Sequence, residues 1–140
     1  MDALRQIDEW GAGTAAACVI RDGDVVALHG SRDAELRWAS VTKPAVALAT
    51  LVAAEEGTVD LDDAAGPDGS TVRHLLAHAS GLPFDGETPI AKPGRRRIYS
   101  NTGFETLART VAEAAEMPFG DYLRGAVFEP LGLSARLNGS

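Results

Sequence analysis

Residues 44–54 carry no charged side chain, and alanine makes up much of the stretch from Pro44 to Ala54. This stretch constrains the fold more than any other. It is too short to cross a bilayer. Its pattern through Leu48, Leu51 and Val52 predicts a helix that starts at Ser40 and runs to Glu56. Pro44 falls in the first turn, where a missing N–H costs least, and Gly57 supplies the stop. A helix apolar all round belongs at the centre of a core. With 140 residues, 45% of them hydrophobic and 24% charged, the chain is one domain's worth that can bury such a core. Disorder, collagen and coiled coil are excluded on the same grounds.

The flanking segments supply the cover. Leu4, Ile7 and Trp10 are spaced by three and predict a short amphipathic helix over 3–10. Two apolar runs then surround Asp22-Gly23, which predicts a hairpin with strands over 14–21 and 24–30. Both runs are apolar on both faces, as in a sheet covered by helices, and Cys18 is expected to be buried there and inert. After an acidic connection over 57–70, Ser70 or Thr71 caps a short helix over 72–79, ended by Gly81 and Pro83. Residues 84–98 form a loop carrying Arg95-Arg96-Arg97. Ser100 or Asn101 then starts a helix over 102–116, and Pro118 separates it from a last helix over 119–127. A two-stranded sheet is marginal alone and leaves open edges. The expectation is therefore an N-terminal portion of a larger domain, stopping at Leu137-Asn138-Gly139-Ser140 without a docking element.

Three stretches can do chemistry. In Ser40-Val41-Thr42-Lys43, residues three apart share a helix face, so hydroxyl and amine can meet. Ser40 sits at a helix N-terminus, where free N–H groups favour developing negative charge. Lys43, on an apolar helix, is partly stripped of water, which suits it to accept or relay a proton. Read alone, the tetrapeptide equally describes a cap and a solvated lysine. In Tyr99-Ser100-Asn101, a tyrosine hydroxyl works as general base or acid where cations lower its pKa, and Asn101 can orient a lysine or hold an amide. Read alone, it describes a packed tyrosine and a helix cap. His78-Ala79-Ser80-Gly81-Leu82-Pro83 predicts a helix end, with His78 bonding nearby backbone carbonyls.

Taken together, Ala39 to Pro44, Val72 to Pro83, Tyr99 to Phe104 and Phe128 to Leu133 resemble the serine β-lactamase and penicillin-binding protein superfamily. The likeness is to its class C-like branch of esterases and D-alanyl-D-alanine carboxypeptidases. It implies an α+β, β-lactamase/transpeptidase-like fold, with helix and hairpin over 1–39 and a helical active-site region over 40–140. It further implies that Ser40 is the nucleophile, Lys43 takes or relays its proton, Tyr99 is the general base and then the acid, and Asn101 orients substrate and Lys43. The Ser40 backbone N–H would be half of an oxyanion hole. The implied substrate is a small-molecule or peptide acyl compound: a β-lactam, a D-Ala peptide or an ester. No metal or organic cofactor is implied. The family's third motif, Lys-Thr-Gly or His-x-Gly on a later strand, has no match, because no Lys or His follows Asn101. The later sheet strands are absent too, so activity is expected to be incomplete. The rival expectation is a non-catalytic binding piece that completes its sheet with a partner chain or a second copy through an exposed edge.

Other functions are set aside. Net charge is −7, from 13 Lys and Arg against 20 Asp and Glu, which argues against nucleic-acid partners. One cysteine excludes an intramolecular disulfide or a Cys-based metal site within the chain. His74 and His78 lack a glutamate between them and a third ligand. Asp60, Asp62 and Asp63 lack the glycine of a calcium loop, since Ala65 holds that position. The arginine run is expected to be a surface loop or a set of salt-bridge partners. The N-terminus lacks a secretory pattern, so a soluble, cytoplasmic chain without a membrane span is expected.

Overall fold

Asp22 and Gly23 both have positive φ, 54° and 89°. That is the turn an Asp-Gly pair favours between tightly twisted strands. It joins β1 (Ala16–Arg21) to β2 (Asp24–Gly30), which pair antiparallel. The computed structural model describes residues 2–137, so the expectation for the last three residues lies outside the described part. Chain contacts divide it into two compact units, residues 1–38 and 39–140.

In the first unit, Asp2–Glu9 forms a 3-10 helix. The spacing of three in Leu4 and Ile7 is compatible with three residues per turn. Ile7 is buried and Trp10 is 70% exposed. Asp8 ties the helix to β2, its carboxylate 2.9 Å from His29 Nε2. In the sheet, Val19 pairs with Ala27 and Ile20 with Val25, so Val26 is bulged. The expectation of a sheet covered on both faces is corrected: Ile20, Val25, Val26 and Leu28 are exposed. Cys18 is exposed as well, correcting its expected burial. An apolar strand is buried only where another layer packs on it, and two strands leave such faces open.

The second unit is helical. A 3-10 turn (Ala39–Val41) leads into α1 (Thr42–Glu55), followed by α2 (Val72–Leu76), α3 (Asn101–Ala114) and α4 (Phe119–Leu123), which continues as a π-turn over Arg124–Phe128. Pro44 lies in the first turn of α1. Ala45, Ala49 and Ala53 make one small-residue face, packed with Val111, Tyr122, Leu123, Val127 and Phe128. Val46 belongs to a second cluster with Val72, Leu75, Leu82, Phe104 and Leu107. The helix is therefore central, but not covered all round: Leu48 and Leu51 are exposed at 42% and 48%. Thr50 is buried and satisfies its hydroxyl on the Val46 carbonyl at 2.9 Å.

Caps set the remaining starts. Thr71, not Ser70, caps α2, its hydroxyl accepting from the His74 N–H. Ser100 caps α3, accepting from the Gly103 N–H at 2.9 Å. α2 is shorter than its expected span because the chain turns sharply at His78, which has a φ of 56°. Asp60 and Asp63 cap the preceding turn, and Asp62 pairs with Arg73, as suits a solvated connection. Among the described residues, no helix is long and apolar enough to cross a membrane.

Candidate active site

Ser40 lies in the 3-10 turn ahead of α1, one residue before the Val41 cap position, and is exposed. It does not cap the helix as the sequence alone would allow. The turn leaves Ser40 Oγ 3.3 Å from Lys43 Nζ, which donates to it. Ala39, just before, has a positive φ of 45°, a conformation that costs about 1–2 kcal/mol for a residue with a Cβ. Such strain persists only where the surroundings impose it.

Lys43 is half-buried. Its Nζ donates to Asn101 Oδ1 at 2.6 Å and lies 4.8 Å from the centre of the Tyr99 ring and 5.9 Å from that of Phe104. The aromatic faces attract the cation while excluding water from its stem. The four residues singled out from sequence thus converge, although Ser40 and Lys43 precede and begin α1 while Tyr99 and Asn101 precede and begin α3.

The Tyr99 phenol is drawn below its ordinary pKa, first by hydrogen bonding with Ser40, then with Lys43. Burial opposes this less strongly than those hydrogen bonds, and the charges of Lys43 and Arg97 add smaller lowering effects. The hydrogen bonds and the charges favour phenolate, the form a general base needs.

Two residues matter here that the sequence reading did not place. His78 was expected to bond carbonyls through its ring; instead its Nδ1 accepts the Ser100 N–H at 3.1 Å. Its left-handed backbone turns the ring under the site, 4.6 Å from Tyr99 and 4.7 Å from Phe104, centre to centre. Its carbonyl accepts the Ile98 N–H at 2.7 Å. Residues 98–100 are thereby held on both sides of Tyr99. Burial, then the charges of Arg97 and Lys43, push the imidazole below its ordinary pKa, keeping Nδ1 free to accept. The signal was a buried-looking His between a helix end and a glycine, which does not reveal where the ring turns. Asp85 accepts from Asn101 Nδ2 at 3.0 Å. No motif marked it.

The remaining candidates make no hydrogen bond to this cluster through their side chains. His74 Nδ1 is 3.1 Å from the Thr71 hydroxyl, a local pairing across one helical turn. Arg95, Arg96 and Arg97 are exposed on the loop, the surface alternative of the two expected.

A hairpin followed by helices, with a Ser-x-x-Lys pair at the head of the central helix, is the β-lactamase/transpeptidase fold. The chain belongs to the β-lactamase family, whose model matches residues 3–135. It is 27% identical to penicillin-binding protein 4* of Bacillus subtilis (strain 168), over 69% of this chain and 29% of that protein. It superposes with a TM-score of 0.91 on the crystal structure of a β-lactamase from Mycobacterium bovis, at 51% identity, covering 98% of this chain and 51% of that one. The octameric penicillin-binding protein homologue from Pyrococcus abyssi superposes at 0.65 with 26% identity, covering 82% and 38%. The chain thus spans about half the length of the Mycobacterium structure and less of the others.

Proposed function

We propose that this chain carries the nucleophilic half of a serine acyl-transfer site acting on a β-lactam, a D-Ala peptide or an ester. The observation behind this reading is the convergence of Ser40, Lys43, Tyr99 and Asn101 around Lys43 Nζ. Family membership supports it.

In this reading Ser40 Oγ attacks the acyl carbonyl carbon. Its proton passes to the Tyr99 oxygen, directly or relayed through Lys43 Nζ. The C–N bond of an amide or lactam, or the C–O bond of an ester, then breaks. Tyr99 returns a proton to the departing nitrogen or oxygen. Water adds to the Ser40 ester, and the acid leaves with Ser40 restored. Asn101 holds Lys43 in place and offers its amide to substrate. The Ser40 backbone N–H is one oxyanion donor. This chemistry calls on no metal or organic cofactor.

The test is the intact mass of the chain after incubation with a reactive penicillin, beside Ser40→Ala. A single adduct that disappears in Ser40→Ala supports the assignment. No adduct on a chain with a cooperative melt overturns acyl-enzyme formation by this chain alone.

A second reading rests on the exposed Ile20, Val25, Val26 and Leu28. The chain would then be a binding piece whose sheet is completed by a second copy. Sedimentation would give a dimer mass for this reading and a monomer mass for the first.

A further inference from the structure

The geometry points to Asp85 as a positioning residue that fixes which end of the Asn101 amide faces Lys43. Its effect on rate rests on the acyl-transfer reading above; the orientation itself does not.

An asparagine side chain has two ends of nearly equal shape and opposite polarity. Turning the Asn101 amide over would aim its NH2 group at Lys43 Nζ, donor against donor. A carboxylate has no proton to give, so Asp85 accepts only the NH2 end. With Nδ2 bound to Asp85 Oδ1 at 3.0 Å, Oδ1 is left for Lys43 at 2.6 Å. Hydrogen bonds thus run in one line from carboxylate to amide to amine to the Ser40 hydroxyl.

The surrounding backbone holds Asp85 where it can do this. The Asn101 N–H donates to the Phe84 carbonyl at 2.7 Å. The Gly86 N–H donates to the Thr102 hydroxyl at 3.0 Å. Residues 84–86 therefore meet residues 101–102 at three successive points, with Asp85 at the middle one. An exposed acidic side chain with no such flanking bonds would sample many rotamers; here the backbone on both sides is tied down.

Asp85→Asn keeps the size but supplies an end that donates as well as one that accepts, so Asn101 is free to turn over. Asp85→Glu keeps an acceptor-only group. Two measurements test this. The first is the rate of adduct formation at Ser40 by intact mass, for the native chain, Asp85→Asn, Asp85→Glu, Asn101→Ala and Asp85→Asn/Asn101→Ala. We expect Asp85→Asn to slow acylation about tenfold, below the roughly 10²-fold that a 1 Å misplacement can cost. Asp85→Glu should recover most of that rate, and Asp85→Asn should add no loss once Asn101 is Ala. The second follows the Asn101 side-chain amide protons by NMR. At one fixed pH, the amide proton donated to the carboxylate should lie downfield in the native chain and in Asp85→Glu, and move upfield in Asp85→Asn.

A rate for Asp85→Asn within about twofold of native overturns the proposal, as does an undiminished loss in the Asn101→Ala background. If the native chain forms no adduct, the acyl-transfer reading fails on its own. The NMR comparison then still decides the orientation, and amide protons left unchanged by Asp85→Asn overturn it.

Discussion

Lys43 Nζ donates to Asn101 Oδ1 at 2.6 Å, joining side chains 58 positions apart in the chain. The same nitrogen lies 3.3 Å from Ser40 Oγ. One amine therefore connects the start of α1 to the start of α3. Lys43→Met keeps the apolar stem and loses both bonds. Acylation of Ser40 should fall by about 10²-fold or more, as for loss of a proton-transfer group. The stability loss should be about 1–3 kcal/mol, the net value of two hydrogen bonds. Adduct formation rates and urea unfolding check the two values.

Tyr99 should give acylation its pH dependence. Hydrogen bonding with Ser40 and Lys43, and the Lys43 and Arg97 charges, lower its pKa. The phenolate then forms at a lower pH than in free tyrosine, which titrates near about 10. The rate should rise with pH along a limb whose midpoint lies below that value. Arg97→Ala should move the midpoint up, and Tyr99→Phe should remove the limb. A midpoint in Arg97→Ala equal to native would separate Arg97 from this role.

His78 should make folding sensitive to mild acid. Burial, Arg97 and Lys43 place its folded pKa below the ordinary value. As pH falls below about 6.5, the unfolded chain takes up the proton first, so stability drops until folded His78 also protonates. His78→Asn tolerates the left-handed backbone and still presents an acceptor to the Ser100 N–H. It does not titrate. The stability gap between native and His78→Asn should therefore shift with pH between 7 and 5, in urea unfolding series at matched salt. A constant gap would mean the ring is not held neutral.

Gly81 has a φ of 92°, and a Cβ there would run into the Ala91 carbonyl oxygen. Its own carbonyl accepts the Ile90 N–H at 2.9 Å. Gly81→Ala must both strain the backbone and push away residues 90–92. The expected cost is about 2 kcal/mol or more. Thermal unfolding measures it, and a change under about 0.5 kcal/mol would show that the loop gives way freely.

Tyr122 is buried and donates to Glu56 Oε2 at 2.8 Å. Burial first, then the hydrogen bond and charge of Glu56, push its phenol up to about 12. The folded chain keeps this proton above the pH where the unfolded chain loses it. Stability should therefore fall between about pH 10 and about 12, and Tyr122→Phe should flatten that decline. At neutral pH the same change should cost about 1 kcal/mol.

Local chemistry was legible in the chain. Asp22-Gly23 announces a tight turn because its residues tolerate positive φ. Pro44 and Gly57 bracket α1 because one lacks an N–H and the other a Cβ. Ser40 and Lys43 meet because three residues make about one turn. The family likeness also rests on short motifs that survive being read linearly.

Solvent exposure was less legible. Leu48, Leu51, Ile20 and Val25 have the composition of buried residues and are exposed. Whether an apolar residue is covered depends on what packs over it, and hydropathy patterning records only the element's own faces. Cys18 is exposed for the same reason.

By itself, then, the sequence determined the hairpin turn, the course of α1 and the Ser40–Lys43 pair. Each depends on residues within a few positions of one another, where backbone sterics and helical period act directly. Only the tertiary structure decided that Tyr99 and Asn101 reach Lys43, that His78 turns its ring beneath Tyr99, and that Asp85 sets the Asn101 amide. Those relationships join segments separated by 16 to 58 positions. Their geometry comes from how α1, α2 and α3 pack through Val46, Leu75, Phe104 and Leu107, and packing of that kind has no linear signature.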